Sequence, residues 1–374
     1  MTLQRRKFLK TLGASASGAA LAGCTTSAGG GGEDGVATGP AVNWRLASSF
    51  PRSLDIIFGS AERLAARIAQ LTGGRFNIRV HPAGELVPGL QVMDAVQQGT
   101  VQVGQTTSYY YLGKNPALAF DSAVPFGLTA RQQYAWLWHG GGLQALREVF
   151  AQFGIIQFPV GNTGTQFGGW FRRDINSVAD LRGLRMRIPG IGGEVMSRLG
   201  VSVQVLAGGE IYPALERGAI DATEWVGPHD DERLGFNRIA RNYYYPGWHE
   251  PGVNVALMVS LNAWNSLPET YQFAIECAAA EQNAQMLAQY DHANPLALAK
   301  LLEAGVQARA YPADVLEAAW RETNVVLDEY AARDATFRSI YESWKAYRVQ
   351  SWRYFAGNEQ AYATFAFPQL VGSV

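Results

Sequence analysis

Three groups of residues in this sequence are of a type and spacing that could do chemistry. Arg187 closes the strand-like run Leu184-Arg185-Met186-Arg187-Ile188, and Pro189-Gly190 follows. An arginine at a strand end can offer two parallel N–H donors to a carboxylate. The plainer alternative is a surface arginine beside Arg182 and Arg185. Glu224 lies in the run 220–225, otherwise largely small and apolar, and Val226-Gly227-Pro228 comes next. A carboxylate in such surroundings must be paired, hydrogen-bonded or bound to a cation. Glu250 stands in a second, rigid setting, Pro246-Gly247-Trp248-His249-Glu250-Pro251-Gly252. Two carboxylates, a glutamine such as Gln166 and a backbone carbonyl would suit a hard cation with oxygen ligands. Ordinary core salt bridges are the alternative. The third group is aromatic: Tyr109-Tyr110-Tyr111, Trp170, Trp225, Tyr243-Tyr244-Tyr245 and Trp248. Most should be core, with one tyrosine and one tryptophan facing a ligand. Asn162, in Gly-Asn-Thr-Gly, is a turn former whose side chain could also reach a ligand.

Other chemistries lack their signatures. There is no phosphate loop, no dinucleotide fingerprint in context and no Gly-x-Ser-x-Gly elbow. The five histidines show no zinc spacing. Asp230 and Asp231, beside His229, read as a solvated turn. His249, between Trp248 and Glu250, has no role that the sequence assigns.

These residues need elements to position them, and the chain is long enough to supply them. Its 374 residues fit two or three domains or one large α/β body. Apolar residues make up 48% and charged residues 17%, enough for a core and too few charges for wholesale disorder. Thirty-one basic residues stand against 32 acidic ones, so no basic excess points to nucleic acid. Two cysteines cannot build a disulfide scaffold.

An opening strand from Val42, a helix over 53–70 and an alternating strand over 76–80 make a βαβ unit. A helix over 90–98, a strand at 101–104, an amphipathic helix over 131–150 interrupted at Gly140 to Gly142, and a strand over 155–160 follow. Strands over 166–171, 184–188, 201–205, 220–225 and 243–248, with helices over 192–199 and 211–217, form a second α/β pattern. A strand over 253–259 returns to the first. Two such lobes imply a cleft between them, where ligands of these folds lie. Residues 267–356 read as almost entirely helical, with breaks at Asn294-Pro295, Gly305 and Pro312. The stretch 314–341 reads as one long helix that needs a partner surface. Cys277, in an Ala-rich helical stretch, reads as a buried, inert thiol.

The first residues read as an address and not as fold. Arg5-Arg6-Lys7, Phe8-Leu9 and a weak apolar run lead to Leu21-Ala22-Gly23-Cys24. This is the order of a twin-arginine export signal ending in a lipoprotein box, with Cys24 as the lipidated residue after cleavage. Loss of residues 1–23 removes four bases and no acid, leaving 27 bases against 32 acids. Residues 25–40, mostly Gly, Ser, Thr and Ala, read as a flexible tether.

From about Trp44 to Phe365 the chain resembles the substrate-binding subunits of TRAP (tripartite ATP-independent periplasmic) transporters, in the branch that binds 2-oxo acids such as pyruvate. The resemblance rests on Trp44-Arg45-Leu46-Ala47-Ser48-Ser49-Phe50-Pro51, Ala83-Gly84-Glu85-Leu86-Val87-Pro88-Gly89 and the Tyr109–Lys114 stretch. It continues through Gly161-Asn162-Thr163-Gly164, Gly183-Leu184-Arg185-Met186-Arg187, Ile211-Tyr212-Pro213-Ala214-Leu215-Glu216, Asp221-Ala222-Thr223-Glu224-Trp225-Val226-Gly227-Pro228 and Tyr244-Tyr245-Pro246-Gly247-Trp248-His249-Glu250. It implies an α/β, two-lobed periplasmic binding protein with an interlobe cleft and long C-terminal helices, which captures and performs no reaction. Arg187 would bind the substrate carboxylate. A bridging Ca2+ or Na+ would be held by Gln166, Glu224, the carbonyl of Trp225 and Glu250. Asn162, Gln166, Trp225 and the tyrosines Tyr109 and Tyr110 would touch the ligand. Because both glutamates of the metal set are present, a small monocarboxylate is favoured over malate or succinate. The implied organisation is a signal over 1–24, a linker over 25–40, lobe I over 41–161 with a return at 253–266, lobe II over 162–252 and a helical region over 267–374. The implied partners are a small organic anion and the TRAP permease subunits. In part of this branch long C-terminal helices swap to make a homodimer, and residues 314–345 could do so here.

Overall fold

The computed structural model describes residues 39–369. The signal over 1–24, the lipidation site Cys24, all but the last two residues of the tether over 25–40 and residues 370–374 lie outside the described residues. Within them, β1 (Val42–Ser48) leads into the helix Ile57–Leu71 and returns as β2 (Phe76–His81), parallel to β1 with Val42 opposite Phe76. The alternation in β2 is real. Phe76 and Ile78 are buried, while Asn77 and Arg79 are exposed, because one face packs on the core. β3 (Val103–Thr106) lies parallel on the other side of β1, and β4 (Ile155–Asn162) completes the first run of strands.

The chain then crosses over. β5 (Gly169–Phe171), β6 (Arg185–Arg187), β7 (Ser202–Gln204), β8 (Ala222–Thr223) and β9 (Asn242–Tyr245) build a second sheet. β10 (Asn254–Ser260) goes back to the first sheet and inserts antiparallel between β3 and β4. β11 (Gln307–Ala310) adds to the edge of the second sheet beside β9. The sheet orders are β2-β1-β3-β10-β4 and β11-β9-β5-β8-β6-β7. The two crossing segments are tied to each other: Thr163 N donates to Val253 O at 3.1 Å, and Thr165 Oγ1 donates to Pro251 O at 2.9 Å.

Several expectations are corrected. The strand expected over 220–225 is only the two residues of β8, so Glu224 and Trp225 lie just past its end. The strand expected over 243–248 stops at Tyr245, because Pro246 has no N–H to extend the ladder. The helical region contains β11, a short edge strand in which Gln307 and Arg309 alternate with two alanines, too small a face to form an apolar run. Pro295 does not break its helix, which runs unbroken from Glu269 to Glu303. An interior proline removes one backbone bond, and packing on both sides compensates. This helix lies against β4 and the helix Ile57–Leu71 in one lobe and against the helix Pro228–Leu234 in the other. The stretch 314–341 is split between the helices Ala313–Arg333 and Ala335–Phe355, with Asp334 between them accepting from Phe337 N at 2.7 Å as an N-cap. Cys277 is half-buried, not buried. No helix among the described residues is long and apolar enough to cross a membrane.

Candidate functional site

Arg187 is the last residue of β6, and only 1% of its side chain is exposed. Four groups fix its guanidinium. Nε donates to Leu206 O at 3.1 Å, Nη1 donates to Glu224 O at 3.4 Å and forms an ion pair with Glu224 Oε1, and the Trp225 ring lies 5.0 Å away. Nη2 makes only a long contact, 3.4 Å to Tyr110 Oη. One prong of the fork is therefore committed and the other is nearly free. Burial alone would pull this guanidinium down, but the Glu224 carboxylate and the neighbouring tyrosines more than offset that, so it stays charged.

Glu250 comes from a loop laced to the crossing segment. Gly247 N donates to Gln166 O at 2.8 Å, Gln166 N to Glu250 O at 3.2 Å, and Glu250 N to Gly247 O at 3.1 Å. A Cβ at position 247 would come within 2.4 Å of Gln166 O, so this close approach demands glycine. Burial pushes the Glu250 carboxyl well above the ordinary range, and the Glu224 charge pushes it the same way; Arg187 only partly relieves it. Tyr109 Oη donates to Glu250 Oε2 at 3.4 Å.

Both tyrosines sit on the turn Ser108–Tyr111 just after β3. A buried polar knot anchors this turn. Ser108 Oγ donates to Asp121 Oδ2, Gln157 Nε2 donates to Asp121 Oδ1 at 2.9 Å, and Ser108 N donates to Ser122 Oγ at 2.7 Å. Burial raises both phenols, Tyr109 strongly, with the Glu250 charge adding to it, so both remain protonated donors.

The expected site residues Arg187, Glu224, Trp225, Gln166, Tyr109 and Tyr110 thus meet around one small cavity, walled also by Phe50, Ile57, Thr107 and Val253. Gln166 Nε2 donates to Thr163 Oγ1 at 3.0 Å, while its Oε1 is buried with no hydrogen-bond partner. Asn162 is placed differently. Its amide accepts from Gly164 N at 2.9 Å and donates to Gly252 O at 3.3 Å, so it braces the crossover and is not among the residues lining this cavity.

Two features escaped the sequence reading. Asp230 and Asp231 are not a solvated turn; they are 0% and 1% exposed. Trp225 Nε1 and Tyr290 Oη donate to Asp230, at 3.3 and 2.9 Å. Trp170 Nε1 and Tyr243 Oη donate to Asp231, at 2.8 and 2.7 Å. Burial lifts the two carboxyls to about 6 and about 7. The acids hold the aromatic rings that stand behind the cavity. The only clue was their place three and four positions beyond Gly227, after an apolar run. His249 is the second feature. It joins Glu224 and Glu250 in one buried cluster whose ligating atoms all lie within 4.8 Å of one another.

A hard cation fits this donor set. An orphaned amide oxygen and two buried carboxylates with a single guanidinium between them leave an excess of negative charge and unfilled acceptors. Two α/β lobes meeting at a charged cavity, with a strand-end arginine on one side and tyrosines on the other, define a solute-binding protein of the periplasmic type. The chain belongs to the bacterial extracellular solute-binding proteins of family 7 (DctP), whose family model matches residues 47–334, and is the binding subunit of a TRAP transporter, a periplasmic protein that captures and does not catalyse.

Similar proteins carry related names. A monocarboxylate 2-oxoacid-binding periplasmic protein of Nostoc sp. is 52% identical over 97% of this chain and 99% of its own length. A TRAP transporter solute-binding protein from Bordetella bronchiseptica, a dimer with calcium and picolinate in its active site, superposes with a TM-score of 0.87 at 48% identity, over 88% of this chain and 98% of that one. A TRAP solute-binding protein from Pseudoalteromonas atlantica with bound sodium and pyruvate gives a TM-score of 0.84 at 39% identity, over 87% and 99%.

Proposed function

We propose that the protein captures a small 2-oxo or 2-hydroxy monocarboxylate, such as pyruvate, and presents it to a TRAP permease. The carrying observation is the convergence of Arg187, Glu224 and Gln166 on one small cavity, with Glu250 clustered beside Glu224. The free Nη2 prong of Arg187 faces the ligand carboxylate, and Tyr109 and Tyr110 donate to its oxygens. Gln166 Oε1, Glu224, the carbonyl of Trp225 and Glu250 hold Ca2+ or Na+. That cation offsets the paired carboxylates and lets a 2-oxo acid chelate through its keto and carboxylate oxygens. Charge supports the monoanion. With one guanidinium against two carboxylates, a divalent cation leaves one positive charge, which a monocarboxylate balances and a dicarboxylate overshoots. Asn162 acts through the crossover it braces.

Residues 1–24 direct export by the twin-arginine route, and Cys24 carries the lipid that tethers the body through residues 25–40. Lobe I (41–161 and 253–266), lobe II (162–252) and the helical region (267–374) are the working parts. The aromatic side chains Tyr354, Tyr362, Phe365 and Phe367, all exposed at the end of the chain, support a homodimer through the C-terminal helices.

Isothermal titration of the chelator-stripped full chain tests the ligand reading, with pyruvate, longer 2-oxo acids, lactate and succinate, each with and without Ca2+ or Na+. Cation-dependent, one-to-one binding of a monocarboxylate is the expected result. Binding of succinate, or binding indifferent to the cation, would overturn the chelate and leave the arginine clamp alone.

A further inference from the structure

His249 is 2% exposed, and neither ring nitrogen makes a hydrogen bond. A buried imidazole left this way forfeits about 1–3 kcal/mol for each unsatisfied polar atom. The fold nevertheless makes room for it. A Cβ at Gly192, in the helix Gly190–Arg198, would come within 2.8 Å of the His249 Cβ, so the glycine there lets the ring in. The ring is aimed at the acids. Nε2 lies 3.4 Å from Glu224 Oε2, the carboxylate oxygen that Arg187 leaves open, since Arg187 takes Oε1. Such a separation, misdirected for a hydrogen bond, is close to the spacing of two donors around one metal ion; ligands about 2.0–2.1 Å from a tetrahedral centre stand about 3.3 Å apart. Glu250 supplies the third donor of the cluster.

We propose that His249 is a nitrogen ligand of the cation site, so that Glu224, His249 and Glu250 accept a borderline divalent transition ion of the Co2+ or Zn2+ class beside the hard cations that the oxygen donors suit. The inference rests on the cation reading given above and deepens it. Carboxylate, amide and carbonyl oxygens favour Ca2+ and similar ions, whereas imidazole favours zinc, cobalt and nickel. The imidazole is therefore the selectivity element of the site. A 2-oxo acid, itself a chelator, would complete either shell.

Two measurements on the chelator-stripped full chain decide the matter. The first is X-ray absorption at the cobalt edge after loading one equivalent of Co2+. The wild-type spectrum shows imidazole scattering, and the His249→Gln spectrum lacks it. The second is calorimetric titration of Co2+ and of Ca2+ into both proteins. The ratio of Co2+ to Ca2+ affinity falls at least about tenfold in the variant. An all-oxygen cobalt shell in the wild type would overturn the proposal, and needs no variant to fold. So would a variant that weakens Co2+ and Ca2+ by the same factor, since His249 would then only orient Glu224. Failure of the wild type to bind either ion would remove the cation reading itself together with this inference. The Ca2+ titration makes no demand on nitrogen, so it tells the two failures apart.

Discussion

Arg187 and Glu224 form an ion pair in which each side chain is 1% exposed, at the floor of the cleft. Neither partner tolerates loss of the other, because an uncompensated buried charge costs about 3–5 kcal/mol. Arg187→Met should therefore lower the urea midpoint and abolish ligand binding together. Arg187→Lys should recover much of the stability and little of the affinity, since an ammonium cannot reproduce the planar fork that reaches both Glu224 and the cavity. Equilibrium unfolding and titration of both variants check this.

Glu250 is the more strained acid, raised by burial and by Glu224. Glu250→Gln removes that charge. Without cation the variant should be more stable than the wild type at pH 8. In return it should lose the cation-linked rise in melting temperature and at least about 100-fold in cation affinity, more than an outer-shell change costs. Melting curves in chelator and in Ca2+ separate the two effects.

Stability should fall as pH rises through the neutral range. Asp121 sits at about 6, lifted by burial against its bonds from Ser108 and Gln157. Unfolded, it would titrate near 3.9. The folded state thus binds the proton more tightly. The stability it contributes is full below about pH 4 and is lost as pH climbs through about 6, roughly 3 kcal/mol for a shift of about two units. Asp230 and Asp231, at about 6 and about 7, act with the same sign. Asp121→Asn keeps both bonds, because its amide can donate to Ser108 Oγ. The variant should show a flatter dependence of urea midpoint on pH between 5 and 8.

Arg348 lies 4.8 Å from the Trp344 ring and 4.9 Å from that of Trp352, and Nη1 donates to Phe126 O at 3.2 Å. Phe126 has φ of 50°, an unfavourable left-handed backbone for a bulky residue, and its N–H donates to Trp248 O at 2.7 Å. The guanidinium therefore holds a strained residue against the loop that carries Glu250. Arg348→Ala should cost about 2 kcal/mol or more, and should also weaken cation binding although Arg348 is remote from the cavity. Arg348→Lys should rescue part of the stability. Unfolding and Ca2+ titration test both statements.

The legible parts of the chain were those with a local signature. The alternation of Phe76, Ile78 and Val80 with polar residues, the glycine stops, the strand-end Arg187 and two acids in apolar surroundings all follow from short-range rules. The illegible parts depend on partners far along the chain. Asp230 and Asp231 look polar in sequence and are buried because Trp170, Tyr243 and Tyr290 reach them from other elements. Pro295 reads as a stop, yet tertiary packing outweighs its missing N–H. β11 has only two alanines on its apolar face and exists because β9 offers it an edge. His249 has meaning only when Glu224, 25 positions earlier, is brought beside it.

The helix Glu269–Glu303, at 35 residues, spans roughly 50 Å. It rests on both lobes, and Asn294 Oδ1 accepts from His229 N at 3.0 Å where it meets the second. The very next residue is Pro295, so the shaft is a hydrogen bond short at the point where the second lobe is bolted to it. A lever thinned at its mounting bends there first. Opening of the cleft would thus concentrate its flexure at one joint and leave the rest of the shaft to carry the load as a rigid beam.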